Sequence, residues 1–345
     1  MRKTVLLLCF IFISLTTVFG QPLKTNISVH DPVMIRQNGT YYIFCTGWGI
    51  SVWSSADMIH WKQEKPVFDH APQWAVDSVK GFKGHVWAPD ISYYNGLYYL
   101  YYAVSAFGKN TSCIGLATNK TLNPADPEFK WEDHGMILQS HPGKDNWNAI
   151  DPNLITDKDG TPYLAYGSFW GGLKIVRLTK DRLHVDQDLN DIPTIASRQK
   201  DPNAKENLPA TDDNPKDAGG NAIEAPFIFK KGKYFYLFAS IDYCCRGPKS
   251  TYKMIVGRSK KLPGPYKDAK GTPLRYGGGT IVLAGNQDWY GVGHNAVCDF
   301  DGKDYLIFHG YDASDRGISK LRIEPILWSK GWPVVEKVQQ LNSKR

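Results

Sequence analysis

The chain is poor in cysteine, in long apolar runs and in unbalanced charge, and each shortage removes a class of protein. Six cysteines are spread over 345 residues, and Cys9 falls in an apolar N-terminal stretch. The other five, Cys45, Cys113, Cys244, Cys245 and Cys298, are odd in number, irregular in spacing and without a CxxC pair. Neither a disulfide framework nor a zinc finger is encoded. Adjacent Cys244 and Cys245 leave two states open, a vicinal disulfide or two thiols. No run beyond residue 20 approaches the roughly 20 apolar residues of a membrane span, which argues against a spanning protein. Once Arg2 and Lys3 are set aside with the leader, the 41 Lys+Arg fall to 39 against 34 Asp+Glu. That excess is too small to indicate a nucleic-acid partner. Amphipathic runs of helical period are missing as well, which removes the crossovers that a parallel α/β fold requires.

What is present begins with a leader. Arg2-Lys3, the apolar run Val5 to Ile13 and the stretch Ser14 to Gly20 read as a secretory signal peptide cut near Gly20, so residues 1–20 are assigned to export and 21–345 to a single domain. The expected location is secreted or periplasmic. About 325 mature residues are ample for a sizeable core. An aromatic share of 13% suits β-structure and flat ligands such as sugars.

One phrase then recurs five times. It has a polar or acidic leader beside Pro, Ala or Val, a short apolar run, a Gly turn and an aromatic strand. His30-Asp31-Pro32 leads to Asn38-Gly39 and Tyr41 to Phe44; Trp87-Ala88-Pro89-Asp90 leads to Asn95-Gly96 and Tyr98 to Tyr102. Ile150-Asp151-Pro152 leads to Asp159-Gly160, Ile223-Glu224-Ala225-Pro226 to Lys231-Gly232, and His294-Asn295 to Asp301-Gly302. Asn-Gly and Asp-Gly between short β-type runs are strong hairpin signals, because both turn residues take positive φ. Leaders at 31, 90, 151, 224 and 294 give units of 59 to 73 residues, a hairpin plus two further strands. The pattern predicts an all-β, five-bladed β-propeller, with a β-sandwich as the alternative.

In a propeller the inner strands converge, so Asp31, Asp90, Asp151, Glu224 and His294 are expected to ring one funnel. Taken singly, each carboxylate is a turn cap and His294 a buried imidazole. Several acids at matching places near a tapering axis destabilise a fold unless a proton, metal or substrate uses them. Asp90 follows its proline instead of preceding one, and is read as structural. The least hydrophobic stretch, 186–220, reads as a long loop joining the outer strand of blade three to blade four.

With these motifs the chain resembles glycoside hydrolase family 43 and, within it, the secreted endo-arabinanases. His30-Asp31-Pro32, Trp87-Ala88-Pro89-Asp90, Ile150-Asp151-Pro152 and Ile223-Glu224-Ala225-Pro226 carry the wider likeness. Ser168-Phe169-Trp170-Gly171-Gly172, Cys244-Cys245-Arg246-Gly247 and Gly293-His294-Asn295 carry the narrower one. The resemblance implies an inverting hydrolase with Asp31 as general base, Glu224 as general acid, and Asp151 orienting the acid and raising its pKa. Inversion places the two working carboxyls about 6.5–9.5 Å apart, with water between base and sugar. His294 is implied to contact a largely hydrated calcium ion. Trp87, Asn148, Ala149, Ile150, Ser168, Phe169 and Trp170, together with Asp31 and Asp151, are expected to contact sugar, and family correspondence adds Phe107 and Gly115. The implied partner is arabinan or its α-1,5-linked oligosaccharides, cleaved internally by a monomer. An exo-acting α-L-arabinofuranosidase or β-xylosidase, or a non-catalytic sugar-binding propeller, is the alternative.

Overall fold

The computed structural model describes Leu23 and residues 25–203 and 220–335, and there the repeat forms five radial antiparallel sheets. The expected signal peptide lies outside the described residues. The inner strands are Val33–Gln37, His85–Tyr94, Asn153–Thr156, Ile223–Lys231 and Trp289–Phe300. Each pairs with the strand after it, and two further strands complete each blade. Blade two gains a fifth strand because Gly47–Trp48 pairs with its inner edge.

The hairpin turns form as the sequence predicts. Asn38 and Gly39 have φ of 49° and 82°, Asn95 and Gly96 of 48° and 87°, and Asp301 and Gly302 of 56° and 76°. Two consecutive positive φ values match the right-handed twist of the flanking strands, which is why Asn or Asp followed by Gly occupies these sites. The continuous apolar and aromatic runs then bury both faces of each blade against its neighbours. Ile43, Phe44, Leu100 and Tyr102 pack in one cluster, and Phe238, Val256, Leu306 and Phe308 in another. Each such side chain contributes about 1.5–3 kcal/mol when fully buried.

The circle is closed by the start of the described chain. Leu23 N–H donates to the Ile323 carbonyl at 3.3 Å, Leu321 N–H to the Ile27 carbonyl at 3.0 Å, and Thr25 Oγ1 to the Leu321 carbonyl at 2.7 Å. The reading of 186–220 as one long loop needs correction. Thr194–Ala196 is the outer strand of blade three, paired with Leu173–Arg177. Three residues among polar neighbours carry too little periodicity to be seen in the sequence. Residues 204–219 lie outside the described residues.

Candidate active site

Every inner strand carries the same distortion where it reaches the channel mouth. Asp31, Ala88, Asp151, Ala225 and His294 have φ of 53°, 43°, 55°, 55° and 53°, in the left-handed region that non-glycine residues avoid at a cost of about 1–2 kcal/mol. Four of these amides donate to a side chain of the preceding blade. The acceptors are His309 Nδ1 for Asp31 at 3.1 Å, Thr46 Oγ1 for Ala88 at 2.9 Å, Asp151 Oδ2 for Ala225 at 3.0 Å and Ser240 Oγ for His294 at 2.8 Å. The bonds hold the bulges open and stitch neighbouring blades together at the channel mouth.

These bulges correct the register assumed from the sequence. The matching leaders are Asp31, Ala88, Asp151, Ala225 and His294, so Glu224 stands one position before its blade's bulge residue and Asp90 two positions after. Asp90 therefore does not join the ring. It is buried between blades, accepting Leu154 N–H at 2.7 Å and Asn153 Nδ2 at 3.3 Å. Burial raises its carboxyl to about 7. Its structural reading holds, and its placement in the funnel does not.

A cavity of about 800 Å3 opens where the bulges converge. Asp31, Asp151, Glu224 and His294 line it, with Trp87, Phe107, Asn148, Ile150, Ser168, Phe169 and Trp170 from the predicted set. Two predicted contacts are not brought there. Gly115 lies in the strand Ser112–Asn119, where a Cβ would meet the Tyr102 ring at 2.5 Å, and Ala149 is fully buried with its amide on Ser140 Oγ. The rim carries Phe107, 79% exposed, while Asn148 Oδ1 is buried in the wall without a hydrogen-bond partner. The Ser168 segment is fastened to blade four. Phe169 N–H donates to the Ile223 carbonyl at 2.9 Å and Ser168 Oγ to Glu224 Oε2 at 2.8 Å, which orients the Glu224 carboxyl.

Asp31 is the most heavily engaged group of the cavity. Its Oδ1 meets His30 Nδ1 at 2.8 Å and His294 Nδ1 at 2.9 Å, and its Oδ2 accepts from Thr46 Oγ1 at 2.6 Å. Burial alone would raise the Asp31 carboxyl, but His294 and His30 outweigh it and hold the group well below the usual carboxylate range. A carboxylate has about four lone-pair sites, so three donors leave one, on Oδ2. The charge partner is His294. Burial lowers its proton affinity, yet Asp31 and Asp151 overcome this and raise it to about 9. Asp151 moves the other way. Burial pushes its carboxyl up to about 8, against the pull of His294, with Glu224 and Asp31 adding like-charge repulsion. Within one cavity the proton affinities of Asp31 and Asp151 are thus pushed in opposite directions.

The family model described as Glycosyl hydrolases family 43 matches residues 21–333. The chain belongs to this family. It is 47% identical, over 90% of its length and 87% of the relative's, to the extracellular exo-α-(1→5)-L-arabinofuranosidase ArbA of Cellvibrio japonicus. To the extracellular endo-α-(1→5)-L-arabinanase 1 of Bacillus subtilis it is 40% identical, over 90% of this chain and 88% of the other. The structure of Cellvibrio cellulosa α-L-arabinanase complexed with arabinohexaose superposes with a TM-score of 0.83 at 46% identity, covering 90% of this chain and 96% of that one. An exo-1,5-α-L-arabinanase from a bovine ruminal metagenomic library gives 0.83 at 48%, covering 90% and 97%.

For this family 43 member the calcium implied at His294 can be weighed against the donors present. Calcium prefers oxygen ligands. His294 offers one imidazole nitrogen beyond the one engaged by Asp31, and the described residues that cluster tightly enough for a metal are His30, Asp31 and His309, where His30 Nδ1 already meets Asp31 Oδ1 and His309 Nδ1 accepts the Asp31 amide. Among the described residues, the protein donors by themselves complete no calcium cage.

Several residues around Asp31 were not singled out in the sequence: Thr46, His309, Tyr311 and Ser240. A signal existed for three of them. Thr46, Ser240 and His309 each lie at the end of a repeat's apolar aromatic run, where a polar residue has no place in a buried strand unless it accepts a bond.

Proposed function

We propose that the cavity binds α-1,5-linked L-arabinan and hydrolyses internal arabinofuranosidic bonds with inversion. The observation that carries this reading is the Asp31 carboxylate. Three donors, one of them the cationic His294, keep it ionised, and its remaining lone pair is available to take a proton from water. Glu224, held by Ser168, gives its proton to the leaving oxygen, while Asp151 fixes the acid by accepting the amide of the next residue, Ala225. Phe107, Trp87 and Phe169 line the cavity and suit the apolar sides of sugar rings. Export through the N-terminal leader fits a polymer met outside the cell.

A second reading, release of arabinose or short units from chain ends, is favoured by the 47% and 48% identity to two exo-acting relatives. Digestion of linear arabinan separates the two. Internal cleavage yields a ladder of oligosaccharides and an early fall in viscosity; end-wise release yields one short product from the first minutes. Inertness on arabinan with turnover of xylan would overturn the substrate assignment.

The His294 charge has a consequence for pH. Its cation keeps Asp31 ionised, so His294→Gln makes Asp31 easier to protonate, and the acid limb of the kcat/KM profile is expected to move upward by about one pH unit or more. An acid limb at its original position would show that the imidazolium does not set the state of the base.

A further inference from the structure

A chain of hydrogen bonds runs from the Cys244–Cys245 turn to Asp31, and nothing in the proposed reaction accounts for it. Cys244 and Cys245 form a vicinal disulfide in the cavity wall, with Cys245 at φ 62°. The Cys245 amide donates to Tyr311 Oη at 2.7 Å, Tyr311 Oη stands 2.9 Å from His30 Nε2, and His30 Nδ1 meets Asp31 Oδ1 at 2.8 Å. Direction follows from the donors. Tyr311 is buried, and burial raises its hydroxyl far above the ordinary value, so the oxygen keeps its proton. The Cys245 N–H fills one lone pair of this oxygen, and the ionised Asp31 carboxylate, which can only accept, takes the proton of His30 Nδ1, so His30 Nε2 is left with a lone pair. The phenol sends its proton to that lone pair.

An imidazole that accepts at Nε2 carries its proton at Nδ1, the nitrogen facing Asp31. The ring cannot readily turn, because it is stacked on His309 with centroids 3.9 Å apart at 26°. What remains variable is the tautomer. The other tautomer would turn a lone pair toward the Asp31 carboxylate and remove one of its three donors.

We propose that Tyr311, held by the Cys244–Cys245 turn, is a positioning residue that locks His30 in the Nδ1–H form and so keeps Asp31 oriented toward water. The inference rests on the reading of Asp31 as base only for its effect on turnover; the tautomer itself is independent of any activity.

The test is NMR of the histidine ring nitrogens in the mature protein, its Tyr311→Phe variant and a Cys244→Ser, Cys245→Ser double variant, with His30→Asn identifying the His30 signals. The expected result is Nδ1–H at His30 in the wild type, with an Nε2–H population appearing in Tyr311→Phe and a smaller one in the double variant. Turnover of linear arabinan by Tyr311→Phe should fall by up to about 10²-fold with KM little changed, as for a misplaced reacting group. An Nε2–H tautomer in the wild type, or an unchanged His30 in Tyr311→Phe, overturns the proposal. A changed tautomer with full kcat overturns the positioning role, and an unchanged His30 in the double variant removes the turn from it. Should Tyr311→Phe fail to fold, the double variant carries the same comparison. A wild type inert on arabinan would defeat the proposed function and leave the nitrogen spectra as a valid test.

Discussion

Asp31→Asn is expected to lower turnover of arabinan by about 10²–10⁴-fold, the range that a general base contributes, with the propeller still folded. Asparagine keeps the size of the side chain and a carbonyl oxygen for Thr46 or the histidines. It cannot take a proton from water. The folded state loses something too, with a definite sign. A carboxyl whose folded pKa lies below its unfolded value adds stability above that unfolded value and loses it as pH falls through the folded one. The variant should therefore differ most from wild type in melting temperature near neutral pH and least in strong acid. The loss of turnover should be independent of the leaving group, because the activation of water is needed whatever departs. Near-wild-type turnover by folded Asp31→Asn would remove Asp31 from the reaction.

Glu224→Gln should fall as far on arabinan and much less on an aryl arabinoside with an acidic phenol. A sugar alkoxide is a poor leaving group and needs a proton as the bond breaks; an acidic phenolate departs without one. Glutamine retains a carbonyl oxygen for Ser168 Oγ, the contact that orients Glu224 at 2.8 Å, so the wall of the cavity is kept. The comparison across leaving groups separates acid from base within one cavity. Equal losses on both substrates would mean that Glu224 does something other than donate a proton.

The architecture was legible because the chain writes it five times. Turn chemistry at Asn38-Gly39, Asn95-Gly96 and Asp301-Gly302 marked the hairpins, and the X-Pro steps marked the inner strands. What could not be read was the exact register at the channel mouth. Asp90 and Glu224 look equivalent to Asp31 when acids are aligned with acids, whereas the backbone aligns Ala88 and Ala225 with Asp31, through the left-handed bulge that precedes Pro32, Pro89, Pro152 and Pro226. A bulge shifts side chains by single positions, and hydrophobic pattern does not record it.

The three acids were found from spacing and resemblance together, but the electrostatics were not. Burial raises the proton affinity of Asp151 itself, a shift that no spacing in the sequence records. His309 was missed for a related reason. Within Tyr305-Leu306-Ile307-Phe308-His309 it reads as the end of a buried run, and its bond to the Asp31 amide joins residues 278 apart.

Asp31 as base delivers water to the far side of the sugar, and the anomeric configuration of the first product reports that directly. NMR of a short α-1,5-arabino-oligosaccharide during the first minutes of hydrolysis, before mutarotation, should show the new reducing end appearing as the β-furanose. An initial α-anomer would mean retention, a covalent sugar on a carboxylate, and an Asp31 that acts as something other than the base for water.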